Sequence, residues 1–218
     1  MGATSHMAGA AQLRGRFITL EGVDGAGKST HLPWIAEQLR QAGAKEGREV
    51  IVTREPGGTP LAEKLRALVL AEPMDPLSET LLMFAARADH VLQVIQPALN
   101  HGAWVVCDRF TDATLAYQGG GKGVPADLIR SLSQAAHPGL TPDQTLVFDC
   151  PYEVSRSRLG ASGRTLDRFE AEARDFFERV RKAYQDLAKA EPARVRIIDG
   201  SQAEVKVKDE VKKYLIYS

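Results

Sequence analysis

Short apolar runs alternate along the chain with longer segments of helical periodicity. Each run is rich in Val or Ile, shows little polar alternation and precedes a turn signal; the runs are Arg16–Glu21, Glu49–Thr53, Ala103–Asp108, Gln144–Asp149 and Arg194–Asp199. Strands buried on both faces have this pattern, and parallel strands need long crossovers such as those between the runs. The pattern predicts an α/β fold with a parallel sheet.

The segments between the runs predict five helices. Their periodicity and their Gly or Pro stop signals give the bounds Thr30–Gln41, Thr59–Leu70, Leu77–Gln96, Ala126–Ala136 and Phe169–Ala190, with Pro97 ending or kinking the third. Arginines surround a Gly-rich stretch in Ser155–Arg168, which predicts a basic, mobile flap. We expect one domain over residues 8–218 and interpret residues 1–7 as the remnant of an expression tag.

A phosphate-binding loop follows the first predicted strand. Residues 22–29 read G-V-D-G-A-G-K-S, which matches G-x-x-x-x-G-K-[ST] between a strand and a helix. In such a loop the backbone N–H groups surround phosphates at the positive end of the helix, while Lys28 follows the transferring group and Ser29 binds Mg²⁺. The residues expected at the triphosphate are Gly22, Gly25, Ala26, Gly27, Lys28, Ser29 and Thr30.

Composition and charge restrict the partners. The chain has 218 residues, of which 44% are hydrophobic and 26% charged, and 28 basic residues balance 28 acidic ones. Zero net charge provides no overall field for DNA, RNA or an anionic membrane, and no apolar stretch approaches the roughly 20 residues of a membrane span. Cys107 and Cys150 are too few for a disulfide framework, so we expect a reduced, cytoplasmic setting.

Two further loops follow predicted strands and carry candidate phosphate ligands. Asp108 and Arg109 end the third strand, at the sheet edge where open α/β folds bind ligands. Asp108 resembles a Walker B acid that holds Mg²⁺ through water, and Arg109 can grip an acceptor phosphate or the transferring group; a surface ion pair is the alternative. The loop Thr53–Thr59 follows the second strand, and taken alone it predicts only a tight turn.

Taken together, the motifs resemble those of bacterial thymidylate kinases, which are P-loop nucleoside monophosphate kinases. Five segments match in order and spacing: Glu21–Ser29, Thr53–Thr59, Phe84–Arg87, Asp108–Phe110 and Ala116–Gly119. The resemblance covers nearly everything from Phe17 onward. It implies transfer of the γ-phosphoryl group of Mg·ATP to dTMP, giving dTDP and ADP. It also implies a P-loop NTPase fold, with a five-stranded parallel sheet of order 2-3-1-4-5 flanked by helices, and a homodimer.

The resemblance also implies how dTMP is bound. Arg109, helped by Arg66, clamps the monophosphate; Phe84 stacks on thymine, with Met83 as the neighbouring candidate and core packing as the alternative role of Phe84. Arg87 binds a base carbonyl. Other positions match residues that read the N3 and carbonyl edge, crowd the sugar 2′ position or bind the 3′-hydroxyl. The complete set is Asp24, Arg54, Glu55, Arg66, Phe84, Arg87, Arg109, Thr114, Tyr117 and Gln118, of which Thr114 and Gln118 read the base edge, Tyr117 crowds the 2′ position and Asp24 binds the 3′-hydroxyl.

The catalytic set implied by the resemblance adds flap arginines to the P-loop lysine. Some relatives carry a basic residue at the position of Gly25, and those without it carry basic residues in the flap over ATP. The expected catalytic residues are Lys28, Asp108, Arg109, Arg158 and Arg164, although either flap arginine taken singly could be a solvated surface residue. Two alternatives stay open: a kinase for another nucleoside monophosphate or a deoxynucleoside, and a non-catalytic nucleotide switch.

Overall fold

Five parallel strands form the centre of the structure. The computed structural model describes residues 14–161, 167–170 and 173–215. The strands are β1 (Phe17–Gly22), β2 (Val50–Arg54), β3 (Trp104–Asp108), β4 (Gln144–Asp149) and β5 (Val195–Asp199). They pair in the order β2-β3-β1-β4-β5, all in parallel, which confirms the order that the family resemblance implied.

Helices cover both faces of this sheet. Those of the described residues are α1 (Lys28–Lys45), α2 (Pro60–Ala71), α3 (Pro76–His90), α4 (Gln96–Asn100), α5 (Thr111–Thr114), α6 (Ala126–Ala136), α7 (Tyr152–Ala161), α8 (Arg174–Ala190) and α9 (Glu204–Tyr214). Two π-helical turns, Val91–Ile95 and Leu115–Gly121, continue α3 and α5. None of these helices is long and apolar enough to cross a membrane.

The core has two layers, one on each face of the sheet. All six residues of β1 are buried. Along β3, Trp104 and Val106 belong to one apolar cluster, whereas Val105 and Cys107 belong to the other. Successive side chains of a strand point to opposite faces, so both clusters need apolar residues and the strand shows no polar alternation.

The helix around Pro97 differs from the sequence prediction of one helix over Leu77–Gln96. Helix α3 ends at His90, a π-helical turn follows, and α4 continues through Pro97 to Asn100. Pro97 directly follows the π-helical turn and lies in the first turn of α4, so the proline falls where the regular α-helical hydrogen-bond pattern is already interrupted.

The predicted flap also differs. Ser155–Ala161 lies in α7 rather than in a mobile loop, and residues 162–166, with Arg164, lie outside the described residues. The Ser155 hydroxyl donates to the Asp24 carbonyl oxygen at 2.7 Å, which fixes the helix on the P-loop. Helix α8 begins at Arg174, not Phe169, and the helical segments α5 and α9 were not predicted. Residues 1–7 likewise lie outside the described residues, and the single domain stays a prediction.

Candidate active site

A cavity of about 750 Å³ opens where β1, β2, β3 and β5 end. Residues that end or follow these strands line it, among them Asp24, Glu55, Asp108 and Gly200. The carboxyl edge of an open parallel sheet is the usual binding crevice of such folds. Of the sequence-predicted site residues, the cavity brings together Asp24, Gly25, Gly27, Lys28, Ser29, Thr30, Arg54, Glu55, Arg66, Arg87, Asp108, Arg109, Thr114, Tyr117, Gln118 and Arg158.

The P-loop has three glycines with positive φ, and at two of them a Cβ would also collide with neighbouring backbone. Gly22 has φ 120°, and a Cβ there would lie 2.0 Å from the Phe148 carbonyl oxygen. Gly25 has φ 75°, and its Cβ would lie 2.8 Å from the Ser155 carbonyl oxygen. Both conformations are open mainly to glycine. A basic side chain at position 25 would therefore have a strained backbone, and it would be crowded by Ser155 of α7, which packs against this loop.

Lys28 lies beneath the loop at the start of α1. Its ammonium group donates to the carbonyl oxygens of Gly22 at 2.9 Å and Val23 at 3.0 Å. Burial and the nearby Arg109 guanidinium lower the pKa of Lys28. Gly22 and Ala26, both expected at the triphosphate, do not line the cavity. Ala26 is fully buried, and the carbonyl oxygen of Gly22 accepts from Lys28.

Arg109, Asp24 and Tyr117 form one hydrogen-bonded cluster at the cavity wall. The Nη2 atom of Arg109 donates to Asp24 Oδ1 at 2.6 Å and to the Tyr117 hydroxyl at 3.0 Å, and that hydroxyl donates to Asp24 Oδ2 at 2.8 Å. Burial would raise the pKa of Asp24, but Arg109, Lys28 and Tyr117 hold it below its usual value. Asp24 is therefore a carboxylate that positions the Arg109 guanidinium.

Arg109 itself adopts a left-handed backbone with φ 69°. Its backbone N–H donates to the Leu20 carbonyl oxygen at 2.9 Å, and its Nη1 atom donates to the Gly22 carbonyl oxygen at 3.1 Å. A non-glycine residue with positive φ persists only where its surroundings hold it, and such residues cluster at functional sites. These contacts fix the guanidinium beside the P-loop.

Arg87 is held by a second buried network. Its Nε donates to Glu55 Oε2 at 2.6 Å, and its Nη2 donates to the Phe110 carbonyl oxygen at 3.0 Å and to Thr114 Oγ1 at 3.1 Å. His90 Nδ1 lies 2.9 Å from the other oxygen of Glu55. Both oxygens of Glu55 are thus engaged, so this residue orients Arg87. The Nη1 atom of Arg87 is buried and has no hydrogen-bond partner among the described residues.

The structure does not bring Phe84 to the cavity. Phe84 is buried against Val124 and Ile129, while the neighbouring Met83 lines the cavity. The Arg87 guanidinium lies 4.8 Å from the centre of the Phe84 ring. This position matches the alternative of core packing, with the aromatic face supporting the arginine.

Three further cationic side chains reach the cavity. Arg158 Nη1 donates to the Gly200 carbonyl oxygen at 2.7 Å, which joins α7 to the loop after β5. Arg66 Nη1 donates to the Pro56 carbonyl oxygen at 3.0 Å. The Nη2 atom of Arg54 donates to both carboxylate oxygens of Glu63, at 2.8 and 3.0 Å.

Ser29 and Asp108 are the candidate Mg²⁺ ligands. Both line the cavity, and the Oδ1 atom of Asp108 is buried without a hydrogen-bond partner among the described residues. Mg²⁺ prefers oxygen ligands and commonly combines one or two protein oxygens with phosphate oxygens and water. An orphaned carboxylate oxygen and a P-loop hydroxyl fit that requirement.

Sequence reasoning missed two buried acids next to the cavity. Glu21 accepts hydrogen bonds from the Phe110 backbone N–H and the Tyr184 hydroxyl, each at 2.7 Å, and burial raises its pKa to about 8. Glu79, in the first turn of α3, accepts from Gln118 and Lys122, each at 2.8 Å. An acid in a first helical turn is ordinarily interpreted as a surface complement to the helix dipole, so no pattern in the sequence indicated that Glu79 is buried.

His31 is a third missed residue. It lines the cavity from α1, is 4% exposed, and stacks on Phe148 with ring centroids 5.6 Å apart. Gln202 and Glu204 line the same part of the wall. The only sequence signal for His31 was its position directly after the P-loop.

Comparisons with known proteins agree on one family. The family model described as thymidylate kinase matches residues 20–211. The chain is 58% identical to the thymidylate kinase of Bordetella petrii over 198 residues, which are 91% of this chain and 93% of that protein. It is 55% identical to the thymidylate kinase of Methylobacillus flagellatus over 199 residues, with coverage of 91% and 96%.

A solved structure gives the same result. The crystal structure of thymidylate kinase from Ehrlichia chaffeensis superposes with a TM-score of 0.74 at 35% sequence identity, covering 93% of this chain and 99% of that one. The matched residues, 20–211, include the second half of β1, the P-loop and all of β2 to β5. The chain belongs to the thymidylate kinase family.

Proposed function

We propose that the cavity binds ATP and dTMP side by side and that the chain transfers the γ-phosphoryl group of ATP to the dTMP phosphate. One observation carries the proposal: a single cavity joins the P-loop, with Lys28 and Ser29, to a second cationic region around Arg109 and Arg87. A nucleotide switch needs the P-loop alone, whereas a kinase needs a second substrate site. The second region therefore favours phosphoryl transfer.

The acceptor end of the cavity suits a nucleoside monophosphate. Arg109, Arg66 and Arg54 supply fixed positive charge for the acceptor phosphate, and Asp24 and Tyr117 hold Arg109 in place. Two anionic nucleotides repel each other, so their approach depends on these cations. Because the acceptor is already a phosphate anion, positioning and charge neutralisation contribute more than a strong base.

The donor end supplies the remaining charge. Lys28 neutralises the β- and γ-phosphates, and Arg158 reaches the same wall from α7; Arg164 remains a sequence-based candidate for this role. Ser29 and Asp108 would hold Mg²⁺, which supplies charge neutralisation on the phosphates when bound. The residues of this chain orient both phosphates.

A coupled ADP-release assay tests the function, with dTMP, dUMP, dCMP, dAMP and thymidine as acceptors. We expect dTMP to give the highest kcat/KM and thymidine to be inactive, because thymidine lacks the phosphate that Arg109 binds. Equal turnover of thymidine would favour a deoxynucleoside kinase. ADP release that no acceptor stimulates would favour a switch.

We further propose that a second copy of the chain covers an apolar face on α2 and α3. Leu61, Leu68, Leu77 and Leu81 are each 44–50% exposed on these packed helices. Sedimentation equilibrium should show a dimer that Leu81→Asp dissociates. The control is Val205→Asp on α9, where a valine is 70% exposed away from these helices. A monomeric wild-type protein would refute the proposal.

The family membership and the two free, buried cysteines, Cys107 and Cys150, support a location in the reducing cytoplasm. The location can be checked by fractionating the native host. Recovery of the protein in an oxidising compartment would refute it.

A further inference from the structure

Glu79 collects three hydrogen-bond donors in a fully buried position next to the acceptor end of the cavity. Its carboxylate accepts from Gln118 Nε2 at 2.8 Å and from Lys122 Nζ at 2.8 Å, and it also contacts Arg168 Nη2. The Glu79 side chain is 0% exposed. Of these donors, Gln118 is the one that also lines the cavity.

An ionised carboxylate determines which way the Gln118 amide faces. Carboxylate oxygens only accept hydrogen bonds, so the atom of Gln118 that meets Glu79 must be the NH₂ group. Two cations contact Glu79 and favour its charged form, and although burial opposes this, the hydrogen bonds from Gln118, Lys122 and Arg168 lower its pKa. With the Nε2 side of the amide turned towards Glu79, the carbonyl oxygen Oε1 is turned away from Glu79 and remains as an acceptor for a ligand.

We propose that Glu79 is a positioning residue for base specificity: it fixes the Gln118 amide so that its carbonyl oxygen faces the acceptor base and selects pyrimidines that carry a proton on N3. Thymine and uracil donate from N3 to such an oxygen. The N3 atom of cytosine carries a lone pair, which would face the carbonyl lone pairs. The inference rests on the proposed function, because it assumes a nucleotide base at this end of the cavity.

Two neighbours extend the same pattern. Arg87 Nη1 is a buried donor with no hydrogen-bond partner among the described residues. The Thr114 hydroxyl oxygen accepts from Arg87 Nη2 at 3.1 Å, which directs its own proton elsewhere. Two donors, Arg87 Nη1 and the Thr114 hydroxyl, would thus complement the two carbonyl oxygens of thymine, and the acceptor, Gln118 Oε1, would complement its N3–H.

A Gln118 amide without Glu79 would lose this selectivity. Rotation of the amide by half a turn exchanges its oxygen and nitrogen at almost no cost in shape, so it could then donate to cytosine N3. Discrimination against cytosine thus depends on the partner behind the amide. This dependence separates a positioning role of Glu79 from a contribution to folding alone.

The test compares kcat/KM for dTMP, dUMP and dCMP in wild type, Glu79→Gln and Lys122→Met. We expect Glu79→Gln to lower the dTMP-to-dCMP ratio about tenfold, the value of one hydrogen bond. The dTMP-to-dUMP ratio should not change, because both bases carry the N3 proton. Lys122→Met removes another donor of the same carboxylate without touching the amide, so both ratios should stay at the wild-type value.

Gln118→Met is the second variant, and it keeps the test decisive where Glu79→Gln does not fold. It should lower the dTMP-to-dCMP ratio by itself, and adding Glu79→Gln in that background should change the ratio no further. An unchanged ratio in Gln118→Met or Glu79→Gln, or an equal fall in Lys122→Met, would overturn the inference. Failure of wild type to phosphorylate dTMP would instead overturn the proposed function.

Discussion

We expect Glu21 to make the stability of the fold depend on pH near neutrality. This carboxyl is fully buried at the end of β1, where it accepts from the Phe110 backbone N–H and the Tyr184 hydroxyl. Burial, reinforced by Asp112, raises its pKa from 4.5 to about 8. The folded protein therefore retains a proton that the unfolded chain releases above pH 4.5.

The sign and size of the effect follow from this difference. Between pH 4.5 and 8 the native state binds more protons than the unfolded state, so the free energy of unfolding falls as pH rises. The stability is fully present below pH 4.5 and is lost as pH rises through the folded pKa of about 8. For these two pKa values, the titration of Glu21 should lower the free energy of unfolding by about 2 kcal/mol between pH 6 and pH 8.

Glu21→Gln isolates this contribution. Glutamine can accept from the Phe110 N–H and donate to the Tyr184 hydroxyl, but it does not titrate. Urea unfolding of both proteins at pH 6, 7 and 8, at constant ionic strength, should show the variant gaining about 2 kcal/mol relative to wild type across this range. Glu72→Gln, at an exposed position, is the matched control. Parallel pH profiles for wild type and Glu21→Gln would refute the reasoning.

Three further substitutions test the site. Lys28→Ala should lower turnover by orders of magnitude with little change in melting temperature, because it removes a charge aimed at the transferring group; near-wild-type kcat would contradict the P-loop assignment. Arg109→Ala should weaken dTMP binding by about 2 to 4 kcal/mol in calorimetric titration while ATP affinity stays nearly normal, and Arg109→Lys should recover only part of the loss; equal losses for both ligands would indicate structural damage. Tyr117→Ala should lower the ratio of kcat/KM for dTMP to kcat/KM for its ribonucleotide analogue, whereas Tyr117→Phe should keep the wild-type ratio. A wild-type ratio in Tyr117→Ala would remove Tyr117 from sugar selection.

The sequence by itself determined the features that depend on consecutive residues. The P-loop is such a feature, because its backbone geometry comes from glycines and a lysine within residues 22–29. The five strands were also predictable, since burial on both faces requires unbroken apolar runs. The order of the strands and most site residues came from the family resemblance, and the described structure has the same order.

Only the tertiary structure decided which side chains meet inside the site. Glu55 and Arg87 are 32 residues apart in sequence, Glu79 and Gln118 are 39 apart, and Asp24 and Arg109 are 85 apart. Hydrogen-bond partners at such separations leave no periodic signal in the chain. Neighbouring helix positions point about 100° apart, so whether Met83 or Phe84 faces the cavity depends on how α3 packs. Packing of α2, α6 and the Leu115–Gly121 turn around α3 fixes that rotation, buries Phe84 and leaves Glu79 facing Gln118.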